Sequence, residues 1–94
     1  MHAVVVNTKV EESAMDPEYK ILREQIIPNV RQFPGFVSGY WLAPVNGIGH
    51  AVVVSESEDA ARKAAEAMGV KPGGSLSPGT LLESVGFIEV VGHA

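Results

Sequence analysis

The chain has 94 residues, of which 46% are hydrophobic and 19% charged; its net charge is −4 and it contains no cysteine. This composition predicts one globular domain spanning residues 1–94, and the lack of cysteine excludes disulfide scaffolds, thiolate metal sites and cysteine nucleophiles. The negative charge argues against a nucleic-acid partner, and no apolar run approaches the roughly 20 residues that span a membrane. We therefore expect a soluble, cytoplasmic domain.

The first third of the chain predicts a strand followed by a helix. Residues His2 to Val10 (HAVVVNTKV) are rich in β-branched residues and contain neither Gly nor Pro, as in a buried strand. The segment Asp16-Pro17-Glu18 has the chemistry of a helix start. An apolar stripe follows at three- and four-residue steps, made of Tyr19, Leu22, Ile26, Val30 and Phe33. Pro28 should bend this helix because it lacks an N–H, and Pro34-Gly35 ends it.

The middle of the chain predicts a β-hairpin. A strand from Phe36 to Ala43 is followed by Asn46-Gly47, which strongly favours a two-residue type I′ turn. A return strand then runs from Ile48 to Ser55.

The last third predicts a second helix and a last strand. Ser57 can cap an alanine-rich helix that has acidic residues in its first turn. The segment from Val70 to Thr80 is rich in Gly, Pro and Ser and is either a lid or, more commonly, a plain connection. The last strand spans Leu81 to Val91.

These elements predict an α+β, ferredoxin-like fold of β-α-β-β-α-β order, with a four-stranded antiparallel sheet in spatial order 4-1-3-2. Right-handed crossovers put both helices on one face of the sheet. The valine-rich strands are apolar on both faces, so the face without helices needs a cover. We expect a homodimer, in which a second sheet supplies that cover.

Four segments resemble the antibiotic biosynthesis monooxygenase-like family of the dimeric α/β-barrel superfamily. They are VVVN at 4–7, FPGF at 33–36, Pro44-Val45 at the end of a strand, and VVVSESEDA at 52–60. The resemblance extends over nearly the whole chain. It implies a homodimer whose two sheets form a barrel, with a pocket between sheet and helices in each subunit. Members of that superfamily include cofactor-independent quinone-forming oxygenases, haem-degrading oxygenases and isomerases.

Asn7 is the first candidate for chemistry, because an amide in a valine-rich strand needs partners if it is buried. The resemblance implies that an Asn at this place hydrogen-bonds oxygen or substrate; alternatively it satisfies backbone groups near a strand end. The haem-degrading relatives carry a Trp on the second helix and a His just after it as iron ligand. This chain has neither in ARKAAEAM or KPGGSLSPGT, so haem binding ranks as a distant third possibility.

Trp41 and His50 form a second candidate pair. If Asn46 and Gly47 are the turn, Ala43 faces His50 and Trp41 faces Val52, which puts Trp41 and His50 diagonally on one sheet face. The His could then serve as base or substrate contact. We favour the alternative, in which that face meets the twin subunit and Trp41 anchors the interface.

Tyr40 is next to Trp41 on the strand and therefore points to the opposite face. It should lie beside Asn7 in a pocket on the helix side. An Asn and a Tyr in an apolar pocket suit a phenolic or quinol substrate, which can itself reduce oxygen once deprotonated. The catalytic candidates are Asn7, Tyr40 and His50, and the candidate substrate contacts are Tyr19, Trp41 and Phe87. The alternative is a non-catalytic binding or interaction module, favoured by the lack of acid–base pairs.

His2 and His93 should be neighbours, because the first and last strands pair antiparallel. Two histidines without a carboxylate cluster are weak evidence for a metal site. No phosphate-binding motif surrounds Gly73-Gly74. We therefore expect neither a metal ion nor a cofactor.

Overall fold

The computed structural model describes residues 1–11, 19–67, 75–77 and 80–94. In chain order the elements are β1 (His2–Val10), a π-helical turn (Leu22–Ile26) that continues as α1 (Ile27–Arg31), β2 (Phe36–Val45), β3 (Ile48–Ser55), α2 (Glu58–Ala67), β4 (Ser75–Ser77) and β5 (Thr80–Glu89).

The strands form one antiparallel sheet in the order β2-β3-β1-β5-β4. The four long strands have the order expected from the sequence, and the ferredoxin-like α+β fold is confirmed. The sheet also has a fifth strand, because β4 pairs with the start of β5 within a segment that was expected to be irregular. The rest of that segment (residues 70–74, 78 and 79) lies outside the described residues. Its role as a lid or as a plain connection therefore stays a prediction.

The first helical segment is irregular, as Pro28 predicts. The Ile27 N–H donates to the Leu22 carbonyl, five residues back, and the regular α-helix begins only there. A proline lacks the N–H for an α-helical bond and its ring crowds the carbonyl four residues earlier, so the preceding turn widens. The expected helix start at Asp16-Pro17-Glu18 lies outside the described residues.

The second helix starts as expected. The Ser57 hydroxyl accepts from the Ala60 N–H at 3.1 Å, and the helix buries an alanine stripe made of Ala61, Ala64 and Ala65. Small side chains let the helix lie close to the sheet, where Val4 and Val6 are 0% and 5% exposed. With Leu82, Ala61 and Ala65 they form the core, which therefore lies between α2 and one face of the sheet.

The other face of the sheet carries rows of side chains that lie opposite one another on β2, β3, β1 and β5. The first row holds Ser38, Val54, Ala3 and Ile88, the second Tyr40, Val52, Val5 and Gly86, and the third Leu42, His50, Asn7 and Ser84. We call this surface the open face. Tyr40, Leu42 and Ile88 are 64%, 55% and 56% exposed on it. The expectation that the strands are apolar on both faces is thus confirmed.

The hairpin turn is as expected, but the register beyond it is not. Asn46 and Gly47 have φ values of 52° and 79°, as a type I′ turn requires, and Val45 pairs with Ile48. The register then shifts before Leu42, which pairs with His50 and puts Trp41 opposite Ala51. Pro44 explains the shift because it has no N–H to continue the ladder. The expected pairs Ala43 with His50 and Trp41 with Val52 were therefore wrong.

The turn after α1 packs the chain against α2. Gly35 has a φ of 82°, in the left-handed region, and its carbonyl accepts from the Glu56 N–H at 2.8 Å. A Cβ on Gly35 would lie 2.8 Å from the Cβ of Ala60. Both the backbone conformation and the contact with α2 therefore require glycine here.

We expect Gly35→Ala to lower the free energy of unfolding by about 1–3 kcal/mol, from the left-handed conformation together with the contact on Ala60. Chemical denaturation at one fixed protein concentration measures this. Gly92→Ala is the matched control, because nothing lies within 4 Å of a Cβ added there. Equal stabilities of the two variants would contradict the role given to Gly35.

Candidate functional site

The third row of the open face contains a chain of side-chain hydrogen bonds across three strands. His50 Nδ1 lies 2.6 Å from Asn7 Oδ1, and Asn7 Nδ2 donates to Ser84 Oγ at 2.8 Å. The contacts follow from register, since Asn7 on the central strand β1 pairs with His50 on β3 and with Ser84 on β5. We call His50, Asn7 and Ser84 the polar row.

The contact with Asn7 occupies Nδ1 of His50 and leaves Nε2 outside it. When the ring is protonated on Nδ1, that nitrogen donates to Asn7 Oδ1. In the neutral ring, Nε2 then has a free lone pair. In this form the row presents a hydrogen-bond acceptor at the His50 end and a hydroxyl at the Ser84 end.

Apolar side chains flank the His50 end of the polar row. Leu42 lies beside His50 in the same row, and the exposed ring of Tyr40 stands two residues before it on β2. Gly86, in the row of Tyr40, leaves space next to Ser84, because the nearest atoms to an added Cβ belong to Ile88 at 3.7 Å. An aromatic molecule could lie against this surface with its polar groups on the row.

Beneath α2, the described residues form a packed core with a cleft at its edge. The core fills the space between α2 and the central strands. A shallow cleft of about 430 Å³ lies between the end of α1 and α2, lined by Phe33, Pro34, Gly35, Glu56, Ser57, Asp59, Ala60, Lys63, Ala64 and Ala67. Its Asp59 and Lys63 already pair with each other at 3.0 Å.

The structure brings the three catalytic candidates to one face, but not to the expected one. Asn7, Tyr40 and His50 all lie on the open face, whereas Asn7 and Tyr40 were expected in a pocket on the helix side. The shifted register explains why Tyr40 lies on the open face. Asn7 has the opposite parity to Val4 and Val6, which occupy the helix side. The expected pocket with Asn7 and Tyr40 on the helix side was therefore wrong.

The three candidate substrate contacts lie apart from the polar row. Trp41 is on the helix side, opposite Ala51, with its ring over Gly39. It therefore does not share a face with His50, and the expected diagonal pair was wrong. Phe87 packs against the core under Arg62, whose guanidinium carbon is 4.5 Å from the ring centre. Tyr19 is half-buried just before the π-helical turn.

Ser84 is the residue that the sequence analysis missed. A strand serine is ordinary, and its link to Asn7 depends on a pairing between residues 77 positions apart. The bulge in the pairing of β1 with β5, between Asn7 and Thr8, cannot be read from hydrophobic alternation. Nothing local in the sequence marks Ser84 as a site residue.

The fold is that of antibiotic biosynthesis monooxygenase-like proteins, as solved structures confirm. The chain is similar to the haem-degrading protein Rv3592 from Mycobacterium tuberculosis, solved free of haem, with 23% identity, a TM-score of 0.64 and coverage of 100% of this chain and 99% of that one. It is also similar to a variant of MhuD bound to two manganese protoporphyrin IX molecules per active site, with 25% identity, a TM-score of 0.67 and coverage of 98% and 97%. No family profile and no curated protein sequence matches the chain.

Beside α2, the described residues offer haem no iron ligand. The core beneath α2 is packed, and the described residues that line the cleft include no His, Cys, Tyr or Met. A nitrogen donor is instead available on the open face, at Nε2 of His50. Across the described ranges, no group of three or more His, Asp or Glu residues is placed to hold a metal ion. None of the described helices is long and apolar enough to cross a membrane.

Proposed function

We propose that this protein binds a small, hydrophobic aromatic molecule on the open face and oxygenates it without a cofactor. The single observation that carries the proposal is the oriented His50, whose Nδ1 lies 2.6 Å from Asn7 Oδ1 and whose Nε2 lies outside that contact. Similarity to structures of oxygenase-type fold supports a small-molecule role. A phenolic or quinol substrate fits best, since its hydroxyl can donate to Nε2 while its ring lies on Tyr40 and Leu42.

The proposed chemistry needs few residues. His50 removes a proton from the substrate as general base, and the resulting anion supplies the electrons that reduce oxygen. Oxygen bonds to a ring carbon that bears hydrogen, giving a hydroperoxide, and loss of water leaves a carbonyl group. Both oxygen atoms are accounted for, one in the carbonyl and one in water. Asn7 holds the imidazole in place.

A homodimer is part of the proposal. The open face has four long strands at a spacing of about 4.8 Å and a length of about 30 Å, so it covers roughly 600 Å² before side-chain relief is counted. Stable interfaces bury about 800 Å² on each partner, which is similar. A second copy on this face would cover Tyr40, Leu42 and Ile88 and exclude water from the polar row. The cytoplasmic location expected from the sequence stays part of the proposal.

Oxygen uptake on a panel of hydroquinones and anthrones tests the oxygenase. We expect His50→Ala to slow uptake by about 100-fold or more, the usual contribution of a general base, and Asn7→Ala to slow it less. His93→Ala is the matched control, because His93 lies beyond the end of β5. Failure of the unaltered protein to consume oxygen would reject the oxygenase and leave the alternative, a non-catalytic binding or interaction module. Equal rates for Asn7→Ala would remove Asn7 from the site.

Light scattering at micromolar concentration tests the dimer. We expect twice the mass of the chain, and a shift toward the chain mass for Ile88→Glu, because a carboxylate would be buried in an apolar interface. Ile88 is exposed in the single chain, so the substitution spares the core. Val91→Glu, at a position that is 92% exposed beyond β5, should leave the mass unchanged. A monomer mass for the unaltered protein would contradict the proposal.

Haem is a second candidate ligand, and the comparisons give it more support than the distant third place expected from the sequence. One similar protein degrades haem and the other binds a porphyrin in its active site. Bound haem would supply a redox-active iron. Among the described residues, His50 Nε2 is a donor that could hold it, on the open face rather than beside α2.

A titration with ferric haem tests whether the protein binds haem. If haem is the ligand, the Soret band should shift and saturate, and His50→Ala should abolish the shift while His93→Ala preserves it. A titration in which the spectrum remains that of free haem would eliminate the candidate.

A further inference from the structure

We propose that Tyr40 of one copy fits into the space above Gly86 of a second copy, so that each proposed binding site is completed by the partner chain. The inference rests on the homodimer of the proposed function and specifies how its two open faces meet. It is carried by Gly86, a glycine in the interior of β5 that the contacts and conformation of its own chain do not require.

A glycine in the interior of a strand weakens the strand, and it usually marks a bend, a bulge or the close approach of another group. The single chain accounts for Gly86 in none of the first two ways. Its φ is not positive, it pairs directly with Val5, and the bulge of this ladder lies elsewhere, between Asn7 and Thr8. A Cβ added to Gly86 would have its nearest neighbours in Ile88, at an ordinary 3.7 Å.

Two other strand glycines among the described residues differ, because their own chain fills the space beside them. A Cβ on Gly39 would lie 2.9 Å from the ring of Trp41, and a Cβ on Gly49 would lie 2.6 Å from Thr8 Oγ1. The space above Gly86 is therefore left for a group from outside the chain.

The rows of the open face match in size when each row is laid in reverse on its own copy. A two-fold axis along the strands, with the second row at its centre, produces this arrangement, and it keeps the strands of the two sheets roughly aligned. A large residue then meets a small one at both ends of every row. These pairs are Tyr40 with Gly86, Leu42 with Ser84, and Ile88 with Ser38.

The same arrangement brings polar groups together, because His50 then lies opposite Asn7 of the second copy. A two-fold axis across the strands would instead place each strand on its own copy. The exposed Tyr40 rings would then collide with each other, a void would remain between the two Gly86 residues, and His50 would lie opposite Val54. Voids and polar groups buried against apolar ones are both costly, so the axis along the strands is favoured.

The proposed site is then shared by two chains. A ligand ring that lies on Tyr40 and Leu42 of one copy also meets Ser84 of the other, since Leu42 and Ser84 end the same row. His50 of one chain and Ser84 of the other therefore contact the same ligand.

The experiment is a double-mutant cycle on the dimer dissociation constant, measured by sedimentation equilibrium. Tyr40 and Gly86 of one chain are three strand spacings apart, about 14 Å, so a coupling between them must cross the interface. Gly86→Tyr should raise the dissociation constant about 30-fold or more, because the overpacked contact occurs twice in the dimer. Tyr40→Gly should raise it about 10-fold. Combining Tyr40→Gly with Gly86→Tyr exchanges the two side chains and should restore the constant to within about threefold.

Gly92→Tyr is the matched control, because it adds the same side chain at an exposed position outside β5 where a Cβ meets nothing within 4 Å. It should neither weaken the dimer nor rescue Tyr40→Gly. Additive effects of the substitutions at positions 40 and 86 would overturn the inference. Tyrosine suits a strand and the space above Gly86 is open in the single chain, so the variants are compared as folded proteins.

A second readout needs no substitution. Isotope-filtered NMR of a dimer mixed from labelled and unlabelled chains detects only contacts between the two copies. We expect contacts between the ring protons of Tyr40 in one copy and the α protons of Gly86 in the other. Contacts of Tyr40 with Tyr40 in their place would overturn the inference.

The outcomes distinguish this inference from the proposed function. A monomer mass for the unaltered protein rejects the homodimer and this inference with it. A dimer in which positions 40 and 86 act independently rejects this inference alone. Coupling between the two positions in a protein that takes up no oxygen rejects the oxygenase alone.

Discussion

The architecture depends on β1, which pairs on both edges and is apolar on both faces while α2 covers only one of them. Val4 and Val6 face the helix and are almost fully buried, whereas Val5 and Asn7 face the other way. Side chains alternate along a strand, so one choice of register assigns every residue of β1 to a face. That assignment puts Asn7 on the open face, between His50 and Ser84.

The alanine stripe of α2 explains how closely this helix packs on the sheet. Alanines allow close approach to the sheet, and this closeness leaves the core little room for a ligand. Larger residues at Ala61 or Ala65 would hold the helix further from the strands. Polar groups that would be costly inside the core are placed where a ligand or a second copy can meet them.

Features that depend on a few neighbouring residues were predicted correctly from the sequence. Features that depend on the register between distant strands were not. The Asn46-Gly47 turn, the Ser57 cap and the irregular turn before Pro28 each depend on a few neighbouring residues, and all three are as expected. The faces of Tyr40 and Trp41 depend on a shift near Pro44, and one residue of shift exchanges their faces. Ser84 depends on a pairing across almost the whole chain, which the hydrophobic pattern of one sequence does not encode.

The open face is proposed to bind a ligand and to form the dimer interface. The polar row links these two roles. Asn7 uses Oδ1 and one N–H of Nδ2 within the row, so covering it leaves its second N–H to be paired. His50 Nε2 and the Ser84 hydroxyl still need partners when a second sheet covers them, and burying them unpaired would weaken the dimer. A ligand that bonds to both groups relieves that cost. In the proposed dimer, ligand binding and association therefore strengthen each other, because each removes water from the groups that the other pairs.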